Sequence, residues 1–173
     1  EQEHMWSTRY RDAGADYVFG TTPNRFLAAQ AALLAAGSNA LSVADGEGRN
    51  AVWLAEQGLQ VTATEISPVA LEKARKLAAG RHVEVDFVLA DAVAWDYPAA
   101  AFDFVVGIFI QFADPAQRAR IFAGMTRALR PGGHLIVQGY TPKQLDYRTG
   151  GPSAVENLYT AGLLRTAFPG LEI

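Results

Sequence analysis

The chain has 173 residues, of which 50% are hydrophobic and 19% are charged, and its formal net charge is −3. This composition fits one globular domain with a substantial core and gives no overall electrostatic attraction for duplex nucleic acid. Cysteine is absent, which excludes disulfides, thiolate metal sites and a cysteine nucleophile. Because neither a signal peptide nor a membrane span is recognisable, we expect a cytoplasmic protein that acts on small molecules.

Apolar runs alternate between strand-like and helix-like periodicity along almost the whole chain. The alternation predicts an α/β fold, a Rossmann-like, doubly wound and mainly parallel sheet with helices on both faces. In chain order, the predicted strands are 40–44, 60–65, 83–89, 102–108 and 133–139. The predicted helices are 23–36, 50–57, 67–79, 114–129 and 153–167.

The first predicted strand runs into a turn, Ala44-Asp-Gly-Glu-Gly-Arg-Asn50, with glycines at 46 and 48. Such a turn brings bare backbone against a ligand at the N-terminus of the next helix, where anionic groups are favoured. Glu65 ends the second predicted strand, about 20 residues later, and at this spacing a carboxylate can accept hydrogen bonds from ribose hydroxyls. The pattern therefore predicts a nucleotide-type cofactor site.

The predicted site lies at one edge of the sheet. Parallel strands with right-handed crossovers bring the loops after residues 44, 65, 89 and 108 to the same edge. Asp91 follows the third predicted strand, and Gln111 follows the fourth. We therefore expect both side chains near the glycine turn.

The order of the turn 44–50, Glu65, Asp91 and Leu129-Arg-Pro-Gly-Gly-His-Leu135 resembles that of class I S-adenosylmethionine-dependent methyltransferases. Residues 1–30 and 138–152 resemble the branch that contains tellurite-resistance and thiopurine methyltransferases. The resemblance implies S-adenosylmethionine (SAM) as methyl donor, S-adenosylhomocysteine (SAH) as product and a small-molecule acceptor. A thiol or other soft chalcogen acceptor needs no dedicated base, which fits a chain without an obvious catalytic dyad.

The resemblance also implies one domain over residues 1–173. Residues 1–36 would form an N-terminal lid or cap, 38–139 the cofactor-binding core, and 140–173 a substrate loop and the last helix. Such folds end in an antiparallel strand pair, whereas this chain stops at Ile173. Either the sequence is truncated there or another subunit completes the sheet, so we expect a homodimer through an exposed sheet edge as one outcome.

The resemblance implies four groups of cofactor-binding residues. The turn would hold the methionine portion, Glu65 the ribose, and Asp91 and Ala92 the adenine edge, with Ile66 on the adenine face; Phe19 and Gly20 would belong to the lid. The turn residues concerned are Ala44, Asp45, Gly46, Glu47, Gly48, Arg49 and Asn50. Each assignment has a structural alternative: a solvated carboxylate for Glu65, a turn cap for Asp91, and an aromatic anchor for the lid.

Two positions of the turn depart from the family pattern. Ser42 and Ala44 stand where the family usually has an acidic residue and the first glycine. Asp45 or Glu47 could replace the missing carboxylate. These departures favour an alternative in which the chain binds the cofactor, or is a fragment, without turnover.

The candidate catalytic residues are Gln111, Tyr17 and Arg148. Gln111 would orient substrate or donor, or would satisfy a backbone group instead. An oxygen or amine acceptor would need a base, and Tyr17, Tyr140 or Tyr147 could serve. Arg49 and Arg148 are the cations expected to face either the cleft or solvent.

Other functions are less consistent with the sequence. The three histidines lie far apart without partners at ligand spacing, so we expect no metal. A nicotinamide-dependent oxidoreductase is disfavoured because Arg49 stands where the third glycine of its fingerprint is needed. The segment after the fourth predicted strand lacks the motif of nucleobase methyltransferases. We therefore expect neither nucleic acid nor membrane as a partner.

Overall fold

A computed structural model describes residues 1–173, and its centre is a five-stranded sheet. All neighbouring strands are parallel, and their order is β3-β2-β1-β4-β5. The strands are β1 (Asn39–Ser42), β2 (Gln60–Glu65), β3 (Asp86–Leu89), β4 (Phe102–Ile108) and β5 (Leu129–Gln138). This arrangement confirms the predicted Rossmann-like α/β fold.

Seven α-helices and two short 3₁₀ segments, 31–33 and 155–157, complete the fold. The α-helices are α1 (Gln2–Asp12), α2 (Arg25–Ala29), α3 (Arg49–Glu56), α4 (Pro68–Gly80), α5 (Pro115–Ala128), α6 (Gln144–Tyr147) and α7 (Ala161–Ala167). Ser67 caps α4 by accepting a hydrogen bond from the Ala70 amide, and Asp114 opens α5 with a capping box. None of these helices combines the length and apolar character that crossing a bilayer requires.

The hydrophobic core lies on both faces of the sheet. On one face Leu41 of β1 and Val105 of β4 pack with Met125 of α5. On the other face Val106 of β4 packs with Leu54 of α3. Burial of both faces explains why the central strands are almost uninterrupted apolar runs.

Two helix predictions need correction, and one helix was not predicted. The predicted helix 23–36 is broken into α2 and a 3₁₀ turn, and the predicted helix 153–167 begins only at residue 161. Helix α1 has no predicted counterpart, because its short polar-rich sequence lacks the apolar stripe on which the prediction depended.

Three strands also differ from their predicted bounds. Strand β1 ends at residue 42 rather than 44. Strand β3 begins at residue 86 rather than 83. Strand β5 begins at residue 129 rather than 133, because Arg130-Pro131-Gly132-Gly133 forms an irregular stretch of the strand. The outer edge of β5 pairs with no other strand of the chain, and association through this edge stays a prediction.

Candidate functional site

A cleft opens at the carboxyl edge of the sheet. Its walls come from the segments after β1, β2, β3 and β4 and from the N-terminal segment. The strand order reverses between β1 and β4, and ligands of open α/β sheets bind at such a switch point. The cleft therefore lies at the edge of the sheet where the sequence predicts the site.

The glycine turn forms the floor of the cleft between β1 and α3. Gly46 and Gly48 have φ angles of 66° and 95°, a left-handed conformation that glycine adopts without strain. A Cβ at Gly48 would lie 2.8 Å from the Cβ of Ala74, so only glycine lets α4 pack this closely. Ala44 also has a positive φ, 50°, where the family usually has glycine. Ala44 thus adopts a left-handed conformation although it carries a Cβ.

Glu65 is buried at the end of β2 and is fixed by backbone amides. Its Oε2 accepts from the Gly46 amide at 2.9 Å, and its Oε1 accepts from the Ser67 amide at 3.0 Å. Burial raises the pKa of Glu65 despite these hydrogen bonds. Since Glu65 lines the cleft, it is not a solvated carboxylate, and its remaining lone pairs are placed to accept hydrogen bonds from a ligand.

Asp45 is the second carboxylate in the wall of the cleft. Its Oδ1 accepts from the Ser42 hydroxyl at 2.6 Å and from the Ala51 amide at 3.2 Å. Its Oδ2 is buried and has no hydrogen-bond partner. Burial raises the pKa of Asp45 to about 7.

Glu47 and Asn50 hold the N-terminal segment rather than a ligand. Glu47 is buried outside the cleft lining, accepts from the Val18 amide at 2.8 Å and forms an ion pair with Lys73. Asn50 lines the cleft, but its Oδ1 accepts from the Asn24 amide at 2.9 Å. The structure therefore leaves Asp45, and not Glu47, as the carboxylate that could replace the one missing at position 42.

The predicted adenine end lies after β2 and β3. Ile66, Asp91 and Ala92 all line the cleft. Asp91 is exposed, and its Oδ1 accepts from the Val93 amide at 2.9 Å, which is the turn cap that the sequence left open. The cap uses Oδ1 alone, and contact of Oδ2 with an adenine stays a prediction.

The N-terminal segment forms one wall of the cleft. Phe19 lines the cleft, whereas Gly20 does not. Gln2, Trp6 and Tyr10 of α1 also line it and were not among the predicted site residues. Trp6 and Tyr10 stack with ring centroids 5.8 Å apart, one helical turn from each other. This i, i+4 aromatic pair was the available sequence signal.

The end of the cleft after β4 is largely apolar. Phe109, Ile110 and Phe112 line it, together with Gln117 at the start of α5. The side-chain amide of Gln2 donates a hydrogen bond to the Phe112 carbonyl at 3.4 Å, and this contact joins α1 to the loop after β4. A ligand in this part of the cleft would meet aromatic rings and neutral amides.

None of the three candidate catalytic residues lines the cleft. Gln111 is buried; its Nε2 donates to the Tyr140 and Asn157 carbonyls, and its Oε1 accepts from the Tyr140 amide. These contacts are the backbone-satisfying alternative, so the geometry argues against a direct role for Gln111.

Tyr17 and Arg148 also lie away from the cleft. The Tyr17 hydroxyl donates to the Lys73 carbonyl at 3.0 Å, and its ring packs beside Leu77 and Ala78 of α4. Tyr17 is thus the aromatic anchor that the sequence left as an alternative. Arg148 is exposed at the end of α6, whereas Arg49 lines the cleft.

Comparison with known proteins gives one family match and several relatives. The model of a family described as a methyltransferase domain matches residues 40–133. Demethylmenaquinone methyltransferase of Thermus thermophilus is 36% identical over 104 residues, which are 59% of this chain and 47% of that protein. The chain spans about half the length of the curated relatives it matches.

Solved structures superpose on most of the chain. A structure from work on the conversion of a disulfide bond into a thioacetal group during echinomycin biosynthesis has a TM-score of 0.75 and 21% identity, and the match covers 97% of this chain and 77% of that one. A TehB-like SAM-dependent methyltransferase from Corynebacterium glutamicum has a TM-score of 0.65 and 20% identity, covering 97% and 82%. At this identity the likeness shows the fold, and membership of the tellurite-resistance branch stays a prediction.

Proposed function

Because the chain belongs to the family of class I SAM-dependent methyltransferase domains, we propose that it transfers a methyl group from SAM to a small-molecule acceptor. The observation that carries this proposal is the position of Glu65. Its carboxylate is fixed by two backbone amides beside the glycine turn, where the ribose of a nucleotide-type cofactor would lie. A charged acceptor held in this way gives strong hydrogen bonds to hydroxyl groups.

The residues of the cleft fit SAM in its other parts. The backbone of Gly46 and the N-terminus of α3 suit the carboxylate of the methionine portion, and Asp45 lines the same part of the cleft. Ile66, Asp91 and Ala92 would hold the adenine. When bound, SAM supplies a methyl group on a cationic sulfur, which passes to the acceptor's nucleophilic atom and leaves SAH.

The work of the protein in this reaction is positioning and exclusion of water. Holding two reactants at near-attack distance supplies about 7–11 kcal/mol without a dedicated base. Trp6 and Tyr10 from α1, with Phe19, cover the cleft and would shield the reacting atoms. These residues would act as a lid over the cofactor.

For the acceptor we favour a small molecule with a thiolate or another soft chalcogen anion. The wall after β4 presents Phe109 and Phe112, with neutral amides from Gln2 and Gln117, and none of these groups removes a proton at neutral pH. An acceptor that is already nucleophilic needs no such group. The aromatic lining also suits a flat ring, so an aromatic acceptor such as the demethylmenaquinone named for the Thermus relative is the second candidate.

Calorimetric titration with SAM, SAH and NAD tests the cofactor. We expect the first two to bind and NAD not to bind. Replacement Glu65→Ala should weaken SAM binding by about 1.5–3 kcal/mol, because it removes charged hydrogen bonds. Binding of NAD without SAM would instead support the oxidoreductase alternative.

An acceptor screen by mass spectrometry then tests turnover. We expect SAM and a thiol to give SAH and the methyl thioether in equal amounts. The panel should include chalcogen anions, amines, carboxylates and a quinol. Tight binding of SAM with no transfer to any of them would favour the cofactor-binding protein without turnover.

A further inference from the structure

Phe109, the first residue after β4, has a strained backbone conformation. Five residues other than glycine have a positive φ, and of these only Ala44 and Phe109 line the cleft. The φ of Phe109 is 55°, in the left-handed region that residues with a Cβ rarely adopt. Such strain persists only where the surrounding structure imposes it, and it is common at ligand-binding sites. The contacts that impose it therefore bear on the function of Phe109.

The ring of Phe109 stacks on the ring of Tyr140. The ring centroids are 4.6 Å apart, and the ring planes are inclined by 26°. The Phe109 amide also donates to the Gln138 carbonyl at 2.8 Å, so both the ring and the backbone are attached to the end of β5 and the residues after it. Phe109 lines the cleft, whereas Tyr140 does not. Tyr140 therefore supports the Phe109 ring from behind the cleft wall.

Tyr140 is itself held at its backbone and at its ring. The buried Gln111 side chain accepts from the Tyr140 amide at 2.6 Å and donates to the Tyr140 carbonyl at 2.8 Å. Gly151 lies against the ring, because a Cβ at this position would be 2.6 Å from Tyr140 Cδ2. The Tyr140 ring is therefore confined by Phe109 and by the backbone at Gly151.

We propose that Phe109 is a specificity-determining residue for the methyl acceptor, and that Tyr140 is its positioning residue. The Phe109 ring forms a fixed, flat surface on which a planar ring of the acceptor packs, beside the neutral amides of Gln2 and Gln117. The inference rests on the proposed function and names the class of acceptor, a nucleophilic atom carried on a planar ring. It also gives the buried Gln111 a function, which is to hold Tyr140 in place.

A fixed ring favours a planar ligand for two physical reasons. Stacked aromatic rings attract each other by more than the apolar area that they bury. A side chain that is already confined loses little conformational entropy when the ligand binds. Tyr140 acts in this arrangement through its ring, so its hydroxyl is not required and Tyr140 is not a catalytic base.

The test uses benzenethiol and cyclohexanethiol, which carry the same nucleophilic group on a planar and on a puckered ring. Calorimetry with the SAH complex measures their binding without methyl transfer. Phe109→Leu keeps an apolar side chain but removes the ring. We expect benzenethiol to bind about 3- to 10-fold more weakly and cyclohexanethiol to change by less than about twofold. Each thiol is compared with itself in the two proteins, so the difference in acidity between the thiols cancels.

Two variants of Tyr140 test the positioning role. Tyr140→Phe keeps the ring and removes the hydroxyl, so the affinity for both thiols should stay within about twofold of the wild type. Tyr140→Leu removes the stack, so benzenethiol should bind about 3- to 10-fold more weakly, with cyclohexanethiol and SAH changed by less than about twofold. A loss of general stability without misplacement of Phe109 would not change the ratio of the two thiol affinities.

Gly151 and Gly150 provide a matched pair that leaves both aromatic rings intact. Both glycines have a positive φ, but a Cβ at Gly150 would meet nothing within 4 Å. Alanine therefore strains the backbone at either position and displaces the Tyr140 ring only at position 151. Gly151→Ala should weaken benzenethiol binding by about threefold or more, and Gly150→Ala by less than about twofold. Circular dichroism and thermal melting check that each variant is folded, and this pair keeps the test available if Tyr140→Leu does not fold.

Three results would overturn the inference, and they differ from failure of the proposed function. If Phe109→Leu weakens both thiols equally, Phe109 supplies apolar area and does not select a planar ring. If Tyr140→Phe loses benzenethiol as Tyr140→Leu does, the hydroxyl acts and the stack does not. If the wild-type SAH complex binds neither thiol, ring-bearing acceptors are the wrong class, although binding of SAH still supports the proposed function. If the wild type binds neither SAM nor SAH, the proposed function itself fails.

Discussion

The two ends of the chain differ in their relation to the cleft. The N-terminal segment, residues 1–24, and the C-terminal segment, residues 140–173, both lie outside the part matched by the family model. The first contributes Gln2, Trp6, Tyr10 and Phe19 to the cleft, whereas the second contributes nothing. The resemblance had implied site residues in both. A segment that extends a shared core thus need not form part of its site.

The contacts of each segment explain the difference. The N-terminal segment is attached to the glycine turn, because Glu47 accepts a hydrogen bond from the Val18 amide. It is also attached to α4, because Lys73 donates to the carbonyls of Asp16 and Tyr10. The Ser7 and Ser67 hydroxyls, 2.7 Å apart, join α1 to the start of α4.

The C-terminal segment packs instead on the side of the fold that carries α5. The ring centroids of Phe168 and Phe122 are 4.7 Å apart, and the Arg118 guanidinium donates to the Glu156 carbonyl at 2.6 Å. Gln111, which follows β4 and does not line the cleft, links the segment to the sheet by donating to the Tyr140 and Asn157 carbonyls. One segment therefore covers the site, and the other supports the scaffold behind it.

Breaking the buried ion pair should have the strongest consequence. Lys73→Met removes the only cation paired with the buried Glu47 carboxylate, and we expect the free energy of unfolding to fall by about 3–5 kcal/mol. Limited proteolysis should then cut the N-terminal segment faster. Lys76→Met on the same helix is the matched control, since its pair with Glu72 is exposed; it should cost less than about 1 kcal/mol. If urea denaturation gave the same loss of unfolding free energy for both variants, the stabilising role of the Lys73–Glu47 ion pair would be contradicted.

Shortening Phe168 in the C-terminal segment is expected to lower stability without changing the affinity for SAM. Phe168→Ala removes a buried ring that packs on Phe122, so we expect unfolding to become easier by about 3 kcal/mol. The affinity of the folded protein for SAM, measured by calorimetry below the melting temperature, should not change. Reduced affinity would mean that the C-terminal segment also shapes the site.

The N-terminal counterpart is expected to show the opposite pattern. Trp6 is only partly buried, so Trp6→Ala should lower stability by about 1 kcal/mol. Because Trp6 lines the cleft, the KM for the acceptor should rise about tenfold, and Trp6→Phe should retain most of the function. Steady-state kinetics with an accepted substrate would refute this if the KM of Trp6→Ala matched that of the wild type.

The smallest change is expected at Arg148. Its side chain is exposed and lies away from the cleft, so Arg148→Ala should alter stability by less than about 0.5 kcal/mol and leave kcat/KM unchanged. Arg49→Ala is the comparison, because Arg49 lines the cleft and should affect SAM binding. A clear loss of activity in Arg148→Ala would restore the substrate-loop prediction for residues 140–152.

Most strands and the glycine turn could be predicted because their signals are local. Alternating apolar runs, Gly46, Gly48 and Glu65 each reflect what the backbone requires at one place in the chain. The predicted helix 23–36 was wrong, since the structure has only the short helix α2 and a 3₁₀ turn in this stretch, although its alanines and leucines favour helix. Local propensity alone therefore did not decide where this helix ends.

The sequence by itself determined the fold class, the glycine turn and the carboxylate at the end of β2, since these follow from periodicity and from the fixed geometry of parallel strands. Only the tertiary structure decided that Glu47 points to Lys73 while Asp45 stays in the cleft wall, and that Gln111 serves the backbone of Tyr140. Those outcomes depend on contacts between residues far apart in the chain. No pattern within a single segment carries that information.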